Sequence, residues 1–399
     1  MEPLSEKRYL ELHAPAGGDF LAARERLLAA LPDGCRLMLG CLQQLYPVLS
    51  AADYRVTVTL CPGPGGTDAV RVEPGDTTAE HYGLCLDIGS TIMQMELVDL
   101  VRGRTLSQAA CTNSQTQFGA NILDRILAVK ETHENLYTLQ SLTLDDVRQM
   151  IGSCCAQAGI PPEAVSAMTV GGNTTMLHFF LGCDPWLVFQ SPYTPVFFDP
   201  GILRASELGL PISGNAFCMP AIANYLGGDI TSGLLMTDLD TREDLALFLD
   251  IGTNGELVFG NRDFMMSCAC SAGPAFEGGD ISCGMRATDG AVESVKIDRD
   301  TMEPTLGIVG PDGQKPVGIC GSGIIDVIAE LYRTSIISSK GQFVREGKRV
   351  AHDEHGMGRY ILATAAESET GREISITEVD IDSFIRAKAA IFSAINIML

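Results

Sequence analysis

The chain has 399 residues, of which 46% are hydrophobic and 20% charged, so it can bury sizeable cores and is not intrinsically disordered. Its formal net charge of −22 disfavours nucleic acid and anionic membrane surfaces as partners, because both repel an acidic surface. No secretory signal opens the chain and no apolar run approaches about 18 residues, so we expect a cytoplasmic protein without a membrane span.

The thirteen cysteines are expected to be free thiols, because the cytosol is reducing. The sequence contains neither Cys-x-x-Cys nor a plant-type Cys-x4-Cys-x2-Cys run, so we expect no iron–sulfur cluster in this chain. The tightest group is Cys268, Cys270 and Cys283. Apolar packing of these thiols is favoured over a metal or redox site.

The first 80 residues predict a small α+β domain. KRYLELHAP alternates like a strand, FLAARERLLAAL and LMLGCLQQLYPVL have helical spacing, and YRVTVTL is rich in β-branched residues. The stretch CPGPGGTDAVRVEPGDTTAEHYG is dense in glycine and proline, which predicts a domain boundary.

Strands then alternate with helices. LCLDIGS and TIMQMELVDL predict a hairpin, followed by the helices NILDRILAVKE and LTLDDVRQMIGSCCAQAG, the second ending at Gly159. The strand VSAMTV precedes GGNTTMLHFFLG, an irregular SPYTPVFFDP and a helical IANYLGGDITSGLLM. ALFLDIGTNGELVFG then restarts the strand–turn–strand pattern. The order predicts two α/β subdomains, at 81–244 and 245–399, related by duplication.

Two short stretches, 87–91 and 250–254, repeat each other. In each, an aspartate ends a strand predicted to be buried, a glycine permits a tight turn, and the following N–H groups can converge on an anion. The aspartate cannot hold phosphate itself, but it can hold Mg²⁺ through water. One copy alone favours an ordinary hairpin turn. Two copies favour a phosphate clamp, whose residues are Asp87, Gly89, Ser90, Thr91, Asp250, Gly252, Thr253 and Asn254.

Two further glycine-rich turns are candidate ligand sites. Gly171, Gly172, Asn173 and Thr174 follow a strand and open a helix, where an anion site and a plain βα turn explain the pattern equally well. His178 on that helix is expected to be packed. The small residues Gly321, Ser322 and Gly323 precede the amphipathic IIDVIAELYR, and either admit a ligand or allow close helix–sheet packing.

The segment SCACSAGPAFEGGDISCGMRA (267–287) is poor in bulky residues and predicts a loop over a cleft. Its Glu277 is a candidate general base or metal neighbour, with a solvated loop carboxylate as the alternative.

The paired hairpins resemble the ATPase superfamily that includes actin, sugar kinases and heat-shock chaperones. More specifically, the chain resembles the reductive activators of corrinoid proteins, and the first 60 residues resemble the small linker domain of that family. The segments that carry this resemblance are LDIGST, NSQTQFGANILDRI, GGNTTMLHFFLGCDP, PAIANYLGGDITSGLL, LDIGTNGELVFGN, CSAGPAFEGGDISCGMRATDGAVESV and GICGSGIIDVIAEL.

The resemblance implies an actin-like, ribonuclease-H-like α/β fold of two subdomains behind an α+β linker domain. It implies that ATP and Mg²⁺ assist the return of a corrinoid cofactor from cobalt(II) to cobalt(I) on a partner protein. Asp87 and Asp250 would organise Mg²⁺, and the backbones of 89–91 and 252–254 would hold phosphates. The turn at 171–174 would line the cleft, and Lys388 lies where the superfamily often contacts adenosine.

The chain departs from the family pattern at both ends. Family members usually begin with a [2Fe–2S] domain, so we expect that a separate donor such as a ferredoxin supplies the electron, or that this domain has been lost or left out. The superfamily also continues beyond the last helix with a strand, a Gly-Gly turn under the adenine and a closing helix. The alternative that this chain binds nucleotide weakly therefore stays open. So does the alternative that it is a non-catalytic module that binds the corrinoid protein. A small-molecule kinase is less favoured, and a homodimer is compatible with the sequence.

Overall fold

The computed structural model of the chain describes residues 4–63, 65–119, 121–252 and 254–399, apart from the side chain of Glu277. These residues form two compact units, Met1–Thr237 and Asp238–Leu399. The predicted boundaries at residues 80 and 244 stay predictions, because the division into units tests neither. None of the helices in the described ranges combines the length and apolar character that crossing a bilayer requires.

The first sheet of unit Met1–Thr237 has the strand order β1-β3-β4-β2 and is covered by two helices. Its elements are β1 (Glu6–Glu11), α1 (Ala23–Leu28), β2 (Arg36–Leu37), α2 (Leu39–Ala51), β3 (Arg55–Gly63) and β4 (Gly66–Pro74). Val56, Val58 and Val72 of the sheet are buried together with Leu45 and Leu49 of α2. The α+β character predicted for this region is therefore confirmed.

The domain boundary predicted within the glycine- and proline-rich stretch stays a prediction, but much of the stretch is strand and not linker. Most of that stretch completes β3 and forms β4, with Leu60 opposite Ala69. The turn is possible because Gly66 has φ +130°, which favours glycine. Pro62 and Pro74 lie near the ends of the ladder, where a missing N–H costs little. Composition alone therefore did not reveal these strands, and the connection to the next sheet, 75–81, lies in the last part of the same stretch.

The second sheet of this unit is mixed, with the order β7-β6-β5-β8-β10-β9. Its central strand β5 pairs antiparallel with β6 and parallel with β8. The elements are β5 (Tyr82–Ile88), β6 (Ile92–Asp99), β7 (Arg104–Thr112), α3 (Ile122–Glu131), α4 (Glu134–Ala158), β8 (Val165–Gly172), α5 (Thr174–Leu181), α6 (Trp186–Phe189), β9 (Ile202–Arg204), β10 (Asn215–Cys218) and α7 (Gly228–Leu235). As predicted, α4 ends at Gly159, which has φ +68°.

Polar contacts join the two sheets of this unit. Asp68, whose side chain is 3% exposed, accepts hydrogen bonds from Arg36 of its own sheet at 2.8 Å and from Arg204 of the second sheet at 2.8 Å. The Asn215 amide donates to the Pro62 carbonyl at 2.6 Å. Because Asp68 is buried, the two arginines are needed to compensate its negative charge. These contacts therefore hold the first sheet against the second, in addition to the covalent connection between them.

Unit Asp238–Leu399 contains three sheets of three strands, β11-β12-β13, β15-β14-β16 and β17-β18-β19, within the described residues. Its elements are β11 (Ala246–Ile251), β12 (Gly255–Asn261), β13 (Phe264–Cys270), β14 (Ala291–Ile297), β15 (Pro304–Ile308), β16 (Gly318–Ile319), α8 (Gly321–Arg333), β17 (Val350–His352), β18 (Gly358–Ala363), β19 (Ile374–Thr377) and α9 (Glu378–Met398). Helix α8 packs on β14, and α9 packs on β12 and β13.

Two element predictions need correction. The loop expected at 267–287 begins only after Cys270, because Ser267–Cys270 pairs with β12 as part of β13. The helix expected over IANYLGGDITSGLLM begins only at Gly228. The preceding residues form a tight turn closed by the bridge between Ala223 and Leu226.

Candidate functional site

The first repeated stretch forms a hairpin turn at the centre of the mixed sheet. Asp87 lies near the end of β5, opposite Gln94 of β6 and Gly171 of β8. Leu84, Leu86 and Ile88 of β5 are buried, as predicted, whereas Asp87 lies on the opposite face of the strand and is exposed. The alternation of β5 therefore places a carboxylate at solvent next to the turn.

The turn 89–91 has its carbonyl groups anchored toward the protein. The Asn113 side-chain amide donates to the Gly89 carbonyl at 2.9 Å, and the Asn113 backbone N–H donates to the Thr91 carbonyl at 2.9 Å. The Arg125 guanidinium donates to the Ser90 carbonyl at 2.6 Å. In a planar trans peptide the C=O and the following N–H point in opposite directions. The N–H groups of Ser90 and Thr91 consequently point away from Asn113 and Arg125, as a nest that binds anions requires.

The turn is too tight for any residue but glycine at its start. A Cβ on Gly89 would lie 2.3 Å from the Ile92 carbonyl oxygen. The need for glycine here is steric, because two segments of backbone approach each other closely.

Arg125 and Asn113 are the residues that sequence reasoning missed. Both are fully buried, at 0% exposure. Arg125 also donates to the Gly119 carbonyl and to Gln115, and burial lowers its pKa. Both lie in NSQTQFGANILDRI, one of the segments that carry the family resemblance. The available signal was an arginine on the inner face of α3, an unusual place for a charge.

The glycine turn 171–174 lies beside this hairpin. Asp87 and Ile88 of β5 pair with Gly171 and Gly172 of β8, and α5 begins immediately afterwards. The Asn173 side chain caps α5 by accepting from the Met176 N–H at 3.0 Å. A parallel pair of strands therefore brings two separately predicted stretches to one edge of the sheet.

The glycines in the turn before α7 allow its backbone to pack onto this region. A Cβ on Gly227 would lie 2.5 Å from the Asn173 Cα, and one on Gly228 would lie 2.6 Å from the Met219 carbonyl oxygen. These two positions therefore leave no room for a larger residue.

His178 on α5 is packed, as the sequence favoured. Its ring stacks on Phe197 with centroids 4.1 Å apart, and its Nδ1 lies 2.7 Å from the Thr174 carbonyl oxygen. Burial lowers the pKa of His178, so the imidazole is neutral.

The second repeated stretch joins β11 and β12, with Asp250 opposite Glu256. Gly252 donates its N–H to the Asn254 carbonyl at 2.8 Å, and Thr253 lies outside the described residues. The prediction that a buried strand leads into Asp250 is wrong. Strand β11 lies at the edge of its sheet, with Leu247 and Ile251 each 39% exposed. The two hairpins therefore share a local pattern but differ in their surroundings.

The other candidate residues of this unit lie on different elements. Gly321, Ser322 and Gly323 form the first turn of α8. A Cβ on Gly323 would lie 2.0 Å from the Val292 carbonyl oxygen, so its packing on β14 accounts for this glycine. Lys388 is exposed on α9. Glu277 ends a short 3₁₀ turn, and its side chain lies outside the described part.

Among the described residues, the cysteines and the acidic side chains do not form a dedicated metal cage. All thirteen cysteines are free thiols, as predicted. In the described ranges, no group of three or more His, Cys, Asp or Glu side chains is placed to hold a metal ion. Mg²⁺ does not need such a cage, because it keeps several waters and binds one or two carboxylates together with phosphates. An exposed carboxylate next to outward N–H groups, as at Asp87, fits that chemistry.

The mixed sheet has three antiparallel strands continued by two parallel ones and an antiparallel edge strand, β9. Together with the repeated turn, it defines an actin-like ATPase fold. Residues 1–79 match the RACo linker region, 82–242 the RACo middle region and 244–399 the C-terminal domain of RACo, the ASKHA domain. The chain belongs to this family, the reductive activators of corrinoid proteins, and the predicted fold class is confirmed.

Individual relatives agree with this assignment. The corrinoid activation enzyme RamQ of Eubacterium limosum is 32% identical over 322 residues, which cover 78% of this chain and 53% of RamQ. The [Co(II) methylated amine-specific corrinoid protein] reductase of Methanosarcina barkeri is 26% identical over 345 residues, with 78% and 58% covered. The solved structure of a reductive activator for corrinoid, iron-sulfur protein superposes with a TM-score of 0.88 at 38% identity, covering 100% of this chain and 64% of that one. The chain thus spans less than two thirds of each relative.

Proposed function

We propose that this chain acts in the ATP-dependent reductive activation of a corrinoid protein, assisting the return of cobalt(II) to cobalt(I) in a methyl-transfer system. The observation that supports the proposal most directly is the orientation of the peptide groups in the turn 89–91. Its carbonyls are held by Asn113 and Arg125, and its N–H groups face outward beside Asp87. Family membership supplies the reaction class.

The nucleotide site is proposed from both repeated stretches. The backbones of 89–91, 171–174 and 252–254 would bind the phosphates through N–H groups. Asp87 and Asp250 would hold Mg²⁺ through water. When bound, Mg²⁺ would neutralise phosphate charge that an acidic protein otherwise repels. Gly321, Ser322 and Gly323 would contribute to nucleotide binding, and Lys388 would lie toward the adenosine.

The partner is proposed to be a corrinoid protein, with the electron supplied by a separate donor such as a ferredoxin. Cobalt(II) at rest is hard to reduce. Binding of the partner, coupled to ATP, would change the surroundings of the cobalt so that the electron can be transferred. RamQ is named as a corrinoid activation enzyme, and the Methanosarcina protein as a reductase of a Co(II) corrinoid protein.

Activation can be tested by spectroscopy. A corrinoid protein in the cobalt(II) state is mixed with this protein, ATP, Mg²⁺ and an artificial one-electron reductant. We expect the cobalt(I) absorption spectrum to appear faster with this protein than without it, and only when ATP is present. A folded protein that leaves the rate unchanged would refute the proposal.

The two carboxylates can be tested separately. Asp87→Asn and Asp250→Asn should each remove Mg²⁺-dependent ATP turnover without changing the circular dichroism spectrum, because an amide is a weaker ligand for this hard cation. Asp240→Asn, at another exposed carboxylate, is the matched control and should retain turnover. Unchanged turnover in both variants would mean that the metal is held elsewhere.

A second candidate is a non-catalytic module that binds the corrinoid protein and has a degenerate nucleotide site. The exposure of β11 favours it, because within the described residues β11 lies at the edge of its sheet, whereas β5 is paired on both sides. Calorimetric titration with ATP discriminates the two candidates. A pure binding module should bind the partner but show no Mg²⁺-dependent affinity for ATP.

A further inference from the structure

Arg125 is a buried cation that is not paired with an acidic side chain within the described residues. Its guanidinium contacts the carbonyls of Ser90 and Gly119 and the amide oxygen of Gln115. Its chain neighbour Asp124 is exposed and acts on it only through the electrostatic field. Taking a guanidinium out of water without an ionic partner costs several kcal/mol. A fold that keeps such a charge indicates a compensating anion.

The other cations of unit Met1–Thr237 are arranged differently. Lys130 lies over the Trp186 ring at 4.7 Å. The remaining eleven lysines and arginines form ion pairs with carboxylates; they are Lys7, Arg8, Arg24, Arg26, Arg36, Arg55, Arg71, Arg102, Arg104, Arg148 and Arg204. In the described part of this unit, Arg125 is therefore the one buried cation without a carboxylate partner.

The contacts of Arg125 place that charge directly behind the candidate phosphate site. One nitrogen donates to the Ser90 carbonyl, and in the same peptide plane the Thr91 N–H points to the opposite side. Another nitrogen lies 3.7 Å from the Met176 sulfur, in the first turn of α5. The guanidinium thus touches both the hairpin and the helix that follows Gly171 and Gly172.

We propose that Arg125 is a positioning residue for the nucleotide, whose buried positive charge compensates a phosphate group bound at the Ser90 and Thr91 N–H groups. The inference rests on the proposed nucleotide site and adds to it. Arg125 does not touch the ligand. It holds the peptide planes so that their N–H groups face outward, and its field passes through a buried region where screening is weak.

The test measures calorimetric affinities of the full chain for Mg·ATP and Mg·ADP. Arg125→Gln removes the charge, whereas Arg125→Lys keeps it. The matched control is Arg148→Gln, which removes an arginine that also donates to backbone carbonyls, those of Leu208 and Gly209. We expect Arg125→Gln to weaken ATP binding about tenfold or more, ~1.4 kcal/mol. The loss of affinity should be larger for ATP than for ADP. Arg125→Lys should keep the preference for ATP over ADP, and Arg148→Gln should stay within about twofold of the wild type.

The outcomes separate a charge effect from a structural one. A folded Arg125→Gln protein with wild-type affinity overturns the inference, as does an equal loss for ATP and ADP. If Arg125→Gln does not fold, Arg125→Lys decides, and loss of its preference for ATP overturns the inference. Wild-type protein that binds neither nucleotide refutes the nucleotide site itself, and the inference with it.

Discussion

Replacing Gly89 with alanine tests the geometry of the turn most directly. The new Cβ would lie 2.3 Å from the Ile92 carbonyl oxygen, roughly 1 Å inside ordinary contact. The clash is with backbone, so it cannot be relieved by a side-chain rotation. We expect the turn to shift and the protein to lose about 1–3 kcal/mol of stability, the usual cost of overpacking.

The same shift should turn the Ser90 and Thr91 N–H groups away from their common target. A hydrogen bond to a charged group contributes about 1.5–3 kcal/mol, so losing one should weaken ATP binding by roughly 10- to 100-fold. Thermal denaturation gives the stability change, and calorimetric titration with Mg·ATP gives the affinity.

The control is Gly152→Ala in α4, where a new Cβ meets nothing within 4 Å. Alanine there should stabilise the helix by up to about 1 kcal/mol and leave ATP binding unchanged. Wild-type ATP affinity in folded Gly89→Ala protein would refute the assignment of this turn as a phosphate site.

Three further predictions concern stability and thiol chemistry. Asp68→Asn should cost about 3 kcal/mol in chemical denaturation because it leaves two arginines without their buried partner, whereas Asp53→Asn, with its side chain 84% exposed, should change stability by less than about 0.5 kcal/mol. The hydrogen bond from Arg333 lowers the pKa of Glu330 to about 2. The ionised Glu330 carboxylate therefore stabilises the fold at a pH above its unfolded pKa, and that stabilisation is lost as the pH falls from about 4.5 to 2. Glu330→Gln should abolish this acid-dependent loss, about 2–3 kcal/mol, and equal acid sensitivity of the two proteins would contradict the assignment. Iodoacetamide at pH 8 followed by mass spectrometry should modify the exposed Cys85 first and leave Cys61 unmodified, because burial raises the pKa of Cys61 to about 12.

Local patterns in the sequence were enough to predict both hairpins, helix α8 and the end of α4 at Gly159. These elements depend on periodicity, glycine and capping within a few residues. The strand inside the glycine- and proline-rich stretch was not predicted, because β4 is stabilised by pairing with β3, which composition does not report. Helix α7 begins late for a similar reason, since contacts with the turn at Asn173 hold the preceding residues out of a helix.

The sequence by itself determined the family, the fold class and the two turns that are candidates for phosphate binding. Each of these turns consists of a few consecutive residues, so it can be recognised without the tertiary structure. Only the tertiary structure decided how the turns are supported. It placed Arg125 and Asn113 behind 89–91 and brought Gly171 beside Asp87, while leaving β11 at the edge of its sheet. The physical reason is that a turn depends on neighbouring residues, whereas the orientation of its peptide planes depends on partners that are distant along the chain.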